Sequence, residues 1–150
     1  MNIDKYFNKI YTAAYRLAGN KTLAGNITFN AINNISVNFS IDEDNYVSEE
    51  LLKNTYKEVC KIFLLESTNN ITEFEKQLEY MNNLKSYQNA LLVLNPLNRV
   101  TVVWRDVLGC SIDDMDFVEC SKLELYKNLN NARAQMKELI YDLYFNENGA

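Results

Sequence analysis

Residues 94–139, LNPLNRVTVVWRDVLGCSIDDMDFVECSKLELYKNLNNARAQMKEL, contain two helix-start signals ten positions apart. In each signal a serine is followed three positions later by an acidic residue, so that the hydroxyl caps the helix while the carboxylate reaches back to the cap. We therefore predict a short helix at 112–119, a tight turn at Cys120 and a second helix beyond it, which together form a helix-turn-helix. The two pairs are Ser111 with Asp114 and Ser121 with Glu124.

The second helix, predicted from about Lys122, is amphipathic. Its apolar residues recur at spacings of four, three, four and three, as on one face of an α-helix. They are Leu125, Leu129, Ala132, Met136 and Leu139. Another face carries polar side chains, namely Glu124, Lys127, Asn128, Asn131 and Gln135. This division predicts one face packed in a core and one face in solvent.

A further helix is predicted upstream of this pair. Asn95 can cap it, Pro96 suits its first position, and Gly109 suits the left-handed residue beyond its end. Taken alone, residues 100–104 favour a strand, because they are β-branched and aromatic. The helix-start and helix-stop residues on either side favour a helix instead.

This segment resembles the promoter-binding C-terminal domain of bacterial RNA polymerase sigma factors, in particular the small extracytoplasmic-function group. Their pattern is L-P-P-x-x-R-x-V-L-x-L-R-D-x-x-G, followed by a polar cap, an acidic pair and a recognition helix ending in R-A-R. The residues at matching positions are Leu94, Pro96, Arg99, Val102, Arg105, Asp106, Gly109, Ser111, Asp113, Asp114, Asn131, Ala132 and Arg133. Asn131 stands where the family has the first arginine of the terminal pair.

The resemblance implies that the second helix is a recognition helix that contacts promoter DNA. Its expected DNA-contacting residues are Lys122, Glu124, Lys127, Asn128, Asn131 and Arg133. Asparagine can pair bidentately with adenine in the major groove, so we predict that Asn128 and Asn131 select an A·T-rich element. Lys127 and Arg133 would hold phosphates, whereas Glu124 also has a simpler role as a capping residue.

Composition sets the outer limits of these predictions. The chain has 150 residues, of which 47% are hydrophobic and 23% charged, with four glycines and one proline, which is typical of a globular, helix-rich protein. No apolar run is long enough to span a bilayer, and the N-terminal residues lack the apolar core of a signal peptide. We expect a cytoplasmic protein that does not associate with a membrane.

The chain contains no histidine, which excludes Ser-His-Asp and Cys-His nucleophiles and His-ligated zinc. Its three cysteines lack C-x-x-C spacing, and we interpret them as free thiols, with Cys60 buried on a helix face. No phosphate-binding glycine motif is present. We therefore expect no enzyme activity, no catalytic or metal-binding residue, no cofactor and no small-molecule substrate.

The net charge of −5 weighs against binding to nucleic acid, since affinity for phosphates depends on lysine and arginine. Residues 1–65 hold seven basic and seven acidic side chains, 66–90 hold two and four, and 91–150 hold six and nine. The segment expected to bind promoter DNA is thus the more acidic one.

Two helices are predicted at the start of the chain. Ile3, Phe7, Ile10, Ala14 and Leu17 recur at helical spacing, which predicts an amphipathic helix over 3–18 that Gly19 can close. Thr22 is the expected start of a second helix. Its apolar residues, Leu23, Ile27, Ala31 and Ile35, follow four-residue steps.

Residues 15–32, YRLAGNKTLAGNITFNAI, resemble the sigma pattern Y-R-L-x-G-D-x-x-x-A-E-D-L-x-Q-E-x-F, which in that family docks on the polymerase. Tyr15, Arg16, Leu17, Gly19 and Ala24 match it. The chain departs from it where Gly25 and Asn26 replace the acidic pair and Phe29 replaces the glutamine. The polymerase-binding residues implied by the resemblance are Ala24, Gly25, Asn26, Ile27, Phe29 and Asn30.

A third helix is predicted from Ser48, after an acidic segment at 38–47 that we interpret as a solvated loop. The helix has glutamates in its first turn, where the helix dipole favours them, and a core face of Leu52, Tyr56, Val59, Cys60 and Phe63. Lys53, Lys57 and Lys61 follow four-residue steps on another face. This lysine row is either a set of phosphate contacts or a solvated helix surface.

Together these patterns predict an all-α protein with two small helical domains. The N-terminal domain is expected at 1–66, a polar linker at 67–72, and the helix-turn-helix domain at 73–150, where Thr72 and Glu75 form a capping box. The resemblance implies a sigma factor that binds core RNA polymerase and directs it to promoters. The alternative is a sigma-like protein that binds polymerase, another sigma factor or a regulator, such as an anti-sigma factor, without recognising promoter DNA.

Overall fold

A computed structural model describes residues 1–36, 46–69 and 86–147 of the protein. In this part of the chain the regular structure is helical, as predicted, and the only β-type pairing is an isolated bridge between Asn2 and Tyr46. The six α-helices of the described residues are α1 (Ile3–Ala18), α2 (Lys21–Ser36), α3 (Glu49–Asn69), α4 (Tyr87–Val93), α5 (Pro96–Val102) and α6 (Lys122–Glu147). None of these helices is sufficiently long and apolar to cross a membrane.

The chain divides into two compact units, Met1–Glu66 and Ser67–Ala150. The predicted linker at 67–72 begins inside the last turn of α3, where Ser67 is buried one helical turn after Phe63. The rest of that linker and the capping box at Thr72 lie outside the described residues.

In unit 1, α1 has the predicted bounds. Gly19 ends it in the left-handed conformation, with a φ of 66°, and donates its N–H to the Tyr15 carbonyl at 2.8 Å. Ile10, Ala14 and Leu17 are buried as predicted, but Phe7 is 38% exposed and Tyr6 is buried in its place. The core face of α1 is therefore rotated towards Tyr6. 

The exchange is explained by a hydrogen bond between α1 and α3. The Thr55 hydroxyl donates to the Leu51 carbonyl at 2.7 Å, so it accepts from the Tyr6 hydroxyl, which lies 2.6 Å away. Phe7 has no hydroxyl group and therefore could not form this hydrogen bond inside the core. Burial raises the pKa of Tyr6, and the bond to Thr55 opposes that rise.

The second helix starts earlier than Thr22, the predicted first residue. The side chain of Asn20 accepts the Leu23 N–H at 3.0 Å, which makes Asn20 the cap and Lys21 the first helical residue. Ala24, Ile27 and Ala31 of α2 are buried and form its contact with α1 and the rest of the unit 1 core.

Helix α3 begins where the sequence predicts. Ser48 accepts the Leu51 N–H at 3.1 Å, and two glutamates occupy the first turn. Every residue of the predicted core face is buried, and Cys60 is buried without forming a disulfide. Of the acidic segment 38–47 that was predicted as a loop, residues 38–45 lie outside the described residues, while Val47 is buried.

In unit 2, the corner between α4 and α5 is built around a buried arginine. Arg99 is 3% exposed, and its Nη2 donates to the carbonyls of Leu92 and Leu94 at 2.8 and 3.1 Å. These carbonyls lie at the end of α4, where they lack intrahelical donors. Burial lowers the pKa of Arg99 to about 10. As predicted, Asn95 caps α5 by accepting the Asn98 N–H at 2.8 Å.

Helix α5 continues into one π-helical turn, Val103–Val107, so residues 100–104 are helical, not extended. Gly109 follows in the left-handed conformation, with a φ of 70°, as expected. Trp104 is fully buried, and its indole N–H donates to the Ser111 carbonyl at 2.7 Å. The Trp104 ring also meets Phe117 edge-on at 5.2 Å. These contacts tie the segment after Gly109 to α5.

The predicted helix at 112–119 is wrong. The structure has only a 3-10 turn, Ile112–Asp114, followed by irregular backbone up to Ser121. Ile112 and Met115 are both buried at a spacing of three, which suits the tighter 3-10 turn, and Ser111 caps the N–H of Asp113 at 3.2 Å. Aspartate is also a weak helix former, and several occur here.

Helix α6 starts at the predicted position, because Ser121 accepts the Glu124 N–H at 3.2 Å. Four of its five predicted core residues are buried, and Leu139 is half-buried. The 3-10 turn, α4 and α5 all pack on α6. Within the described residues, the core of unit 2 is thus formed by the long helix α6 and the shorter elements that pack on it.

Candidate protein-binding and nucleic-acid-binding surfaces

A groove with a cavity volume of about 200 Å³ lies between α2 and α3 on the surface of unit 1. Its lining residues are Leu23, Asn26, Ile27, Phe29 and Asn30 from α2 and Ile62 and Glu66 from α3. One turn further along each helix, the Asn34 amide donates to Glu58 Oε2 at 3.3 Å. We call this site the α2–α3 groove. Its lining combines apolar and aromatic side chains with two asparagine amides and one carboxylate.

Four of the six residues expected to bind polymerase line the α2–α3 groove, namely Asn26, Ile27, Phe29 and Asn30. Phe29 is 67% exposed, which is unusual for a side chain of its size. Ala24 was also expected to contact polymerase, but its side chain is fully buried in unit 1. Gly25 is half-buried, and a Cβ there would meet no atom within 4 Å.

Sequence reasoning missed Leu23, Ile62 and Glu66 as groove residues. Ile62 had a usable signal, because it is apolar yet lies outside the core stripe of α3 and is half-buried in the structure. The sequence contains no comparable signal for Leu23 and Glu66. The pairing of α2 with α3 is a tertiary contact between segments separated by residues 37–45, so local patterns do not reveal it.

On α6, the expected DNA-contacting residues fall into two groups. Glu124, Lys127 and Asn131 are exposed, and Asn128 is half-buried. Lys122 and Arg133 lie on the flank that faces the preceding turns. The structure therefore does not gather all six residues on one open face.

The two cations of that flank are held near carboxylates. Arg133 Nε donates to Asp106 Oδ2 at 2.9 Å and its Nη2 to the other oxygen, forming a bidentate pair with the π-helical turn. This hydrogen bond raises the pKa of Arg133. Lys122 Nζ lies 4.0 Å from Asp113 Oδ1, which also accepts the Tyr126 hydroxyl at 3.3 Å.

The lysine row on α3 is only partly exposed to solvent. Lys61 is exposed and bonds to Glu58 at 3.2 Å, whereas Lys53 and Lys57 are half-buried. A carboxylate therefore lies against one end of the row. Along the described ranges, no group of three or more histidine, cysteine or acidic side chains is placed to hold a metal ion.

No protein-family model, no curated protein and no solved structure matches this chain.

Proposed function

We propose that this chain is a sigma-like regulator of transcription initiation that binds core RNA polymerase through the α2–α3 groove. This function is supported by the agreement between the sequence resemblance and the geometry of the groove. The resemblance implies polymerase contacts for residues of α2, and four of those residues line a concave site of mixed apolar and polar character.

The α2–α3 groove suits an apolar anchor from a partner helix. Ile27 is buried at its base, Ile62 is half-buried beside it, and Phe29 projects at the rim. Amphipathic helices bind such grooves through anchors on one face. The neighbouring asparagines can bond to polar groups of the partner that border the anchor.

A pull-down with core RNA polymerase tests the groove. We expect Phe29→Ala to reduce binding at least about fivefold, since removing an interface anchor costs more than about 1 kcal/mol. Tyr46→Ala is the matched control, because Tyr46 is also an exposed aromatic residue of unit 1 but does not line the groove. A wild-type chain that does not bind polymerase would refute the proposed function.

A second candidate function is promoter recognition by α6. It is favoured by Asn131 and Lys127, which are exposed on one side of α6, with Asn128 beside them. Binding of the full chain to A·T-rich and G·C-rich duplexes at low salt tests this function. We expect a preference for the A·T-rich duplex that Asn128→Ala and Asn131→Ala each reduce, by about 1 to 3 kcal/mol per good pair.

The alternative without promoter recognition is favoured by the ion pair of Arg133 with Asp106 and by the 3-10 turn at Ile112–Asp114. The ion pair makes Arg133 less available for DNA phosphates. The 3-10 turn replaces most of the first helix of a helix-turn-helix, which normally packs against the recognition helix. Run-off transcription with core polymerase decides between the two. Binding to polymerase without any new start site would favour a protein that acts only on polymerase or on another regulator.

A further inference from the structure

The exposed side of α2 carries no charge after the first residue of the helix, Lys21. Residues 22–36 include no aspartate, glutamate, lysine or arginine, although these four make up 23% of the chain. The exposed side chains of this stretch are neutral, namely Thr22, Asn26, Phe29, Asn30, Asn33 and Asn34. We call these six residues the uncharged face of α2. By contrast, α1, α3 and α6 each expose charged side chains.

This composition is that of an interface and not of a solvated helix. A helix surface that stays in water is usually kept soluble by charged side chains. The centre of a protein–protein interface is instead depleted of charged residues and enriched in aromatic ones, because a charge that is buried without a counter-charge loses its hydration and regains nothing. On the uncharged face of α2, Phe29 projects with 67% of its surface exposed.

Gly25 leaves open space beside Phe29, one helical turn away. It lies inside α2, where glycine is less favourable than alanine, and its φ is not positive. A Cβ at this position would meet no atom within 4 Å, so crowding within unit 1 does not require glycine either. A gap next to a protruding side chain suits the packing of a second helix, whose side chains fit between those of α2.

We propose that α2 binds an uncharged helix face of core RNA polymerase, whose hydroxyl or amide side chains pair with Asn26 and Asn30 beside an apolar anchor in the α2–α3 groove. The identity of the partner rests on the proposed function, and its chemistry follows from the composition of α2. Both asparagines line the groove, and an amide can donate as well as accept hydrogen bonds. A charged group of the partner has a counter-charge only on the α3 side of the groove, at Glu66.

Substitutions that add a charge of either sign test the proposal, with the affinity of the full chain for core RNA polymerase measured by biolayer interferometry. Asn26→Asp keeps the shape of the side chain and adds a negative charge, whereas Asn26→Lys adds a positive one. We expect each to weaken binding by at least about fivefold, because neither charge meets a counter-charge on the partner. Asn8→Asp is the matched control and should bind as the wild type does, since Asn8 is exposed on α1, outside the uncharged face.

Salt provides a second readout. Raising potassium chloride from about 0.1 to 1 M shortens the Debye length from about 10 to 3 Å, which screens exposed charges but leaves the cost of burying a charge in place. The ratio of wild-type to variant affinity should therefore stay the same for both Asn26 variants.

The proposal is overturned if either Asn26 variant binds more tightly than the wild type, if both bind equally well, or if the affinity ratio falls to one at high salt. In each of these cases, wild-type binding that Phe29→Ala weakens would still support the proposed function. A wild-type chain that does not bind polymerase would refute both.

Discussion

At the scale of single residues, Arg99 is a buried cation whose guanidinium donates hydrogen bonds to two backbone carbonyls. We expect Arg99→Met to lower the free energy of unfolding by at least about 2 kcal/mol, since each buried carbonyl left without a donor costs about 1 to 3 kcal/mol. Relief of the buried charge offsets part of that cost. Urea denaturation measures it, and Arg105→Met, at an exposed position, should change stability by less than about 0.5 kcal/mol. Equal stability of the two variants would contradict this role.

Tyr6 gives a second residue-scale prediction, which concerns pH. Burial raises its pKa above the ordinary value of 10.0, so its stabilising contribution is complete below that pH and is lost as pH rises through the folded-state pKa. We expect wild type to be more stable than Tyr6→Phe near neutral pH and this advantage to shrink above pH 10.0. Denaturation of both proteins along a pH series isolates Tyr6, because the other tyrosines cancel. An advantage that does not change with pH would contradict the prediction.

The same residue shows what the sequence could not predict. The helical spacing of apolar residues predicted that Phe7 lies in the core, because phenylalanine and tyrosine are equally compatible with that spacing. Tyr6 is preferred only because Thr55, far along the chain on α3, offers an acceptor inside the core. Local patterns contain no information about such a partner.

At the scale of elements, the helix starts at Ser48, Asn95 and Ser121 could be predicted, because in each case a nearby side chain caps the helix. The segment 112–119 could not, because its shape depends on the hydrogen bond from Trp104 and on the ring contact with Phe117. The α2–α3 groove likewise requires two helices to be paired. Capping is short-range chemistry, whereas both of these features are tertiary.

Helix α6 gives the prediction at this scale. A surface ion pair contributes at most about 1 kcal/mol, so the bond between Arg133 and Asp106 restrains the arginine without fixing it. If α6 binds duplex DNA, Asp106→Asn should strengthen binding a few-fold for every sequence and steepen the salt dependence by about 0.9, as one more cation meets a phosphate. Glu138→Gln is the matched control, since it removes an exposed α6 carboxylate that is not bonded to Arg133. An unchanged salt slope in Asp106→Asn would show that Arg133 has no phosphate to bind.

At the scale of the whole molecule, the net charge of −5 opposes approach to DNA, and residues 91–150 contain six basic and nine acidic side chains. Promoter binding by the chain alone should therefore be weak, and a larger partner has to supply the remaining affinity. Core polymerase can do so by holding α6 near the promoter, which raises its effective concentration there. The proposed groove and the proposed recognition helix would then act in sequence, first on protein and then on DNA.

This dependence is testable by footprinting the upstream region of the chain's own gene. We expect no protection by the chain alone at physiological salt, and protection when chain and core polymerase are combined. Phe29→Ala should weaken the combined footprint together with polymerase binding, because it acts at the groove, whereas Asn131→Ala should weaken the footprint while polymerase binding is retained. A footprint by the chain alone would contradict the need for polymerase. Polymerase binding without any footprint would leave the α2–α3 groove as a site for protein and remove α6 from promoter recognition.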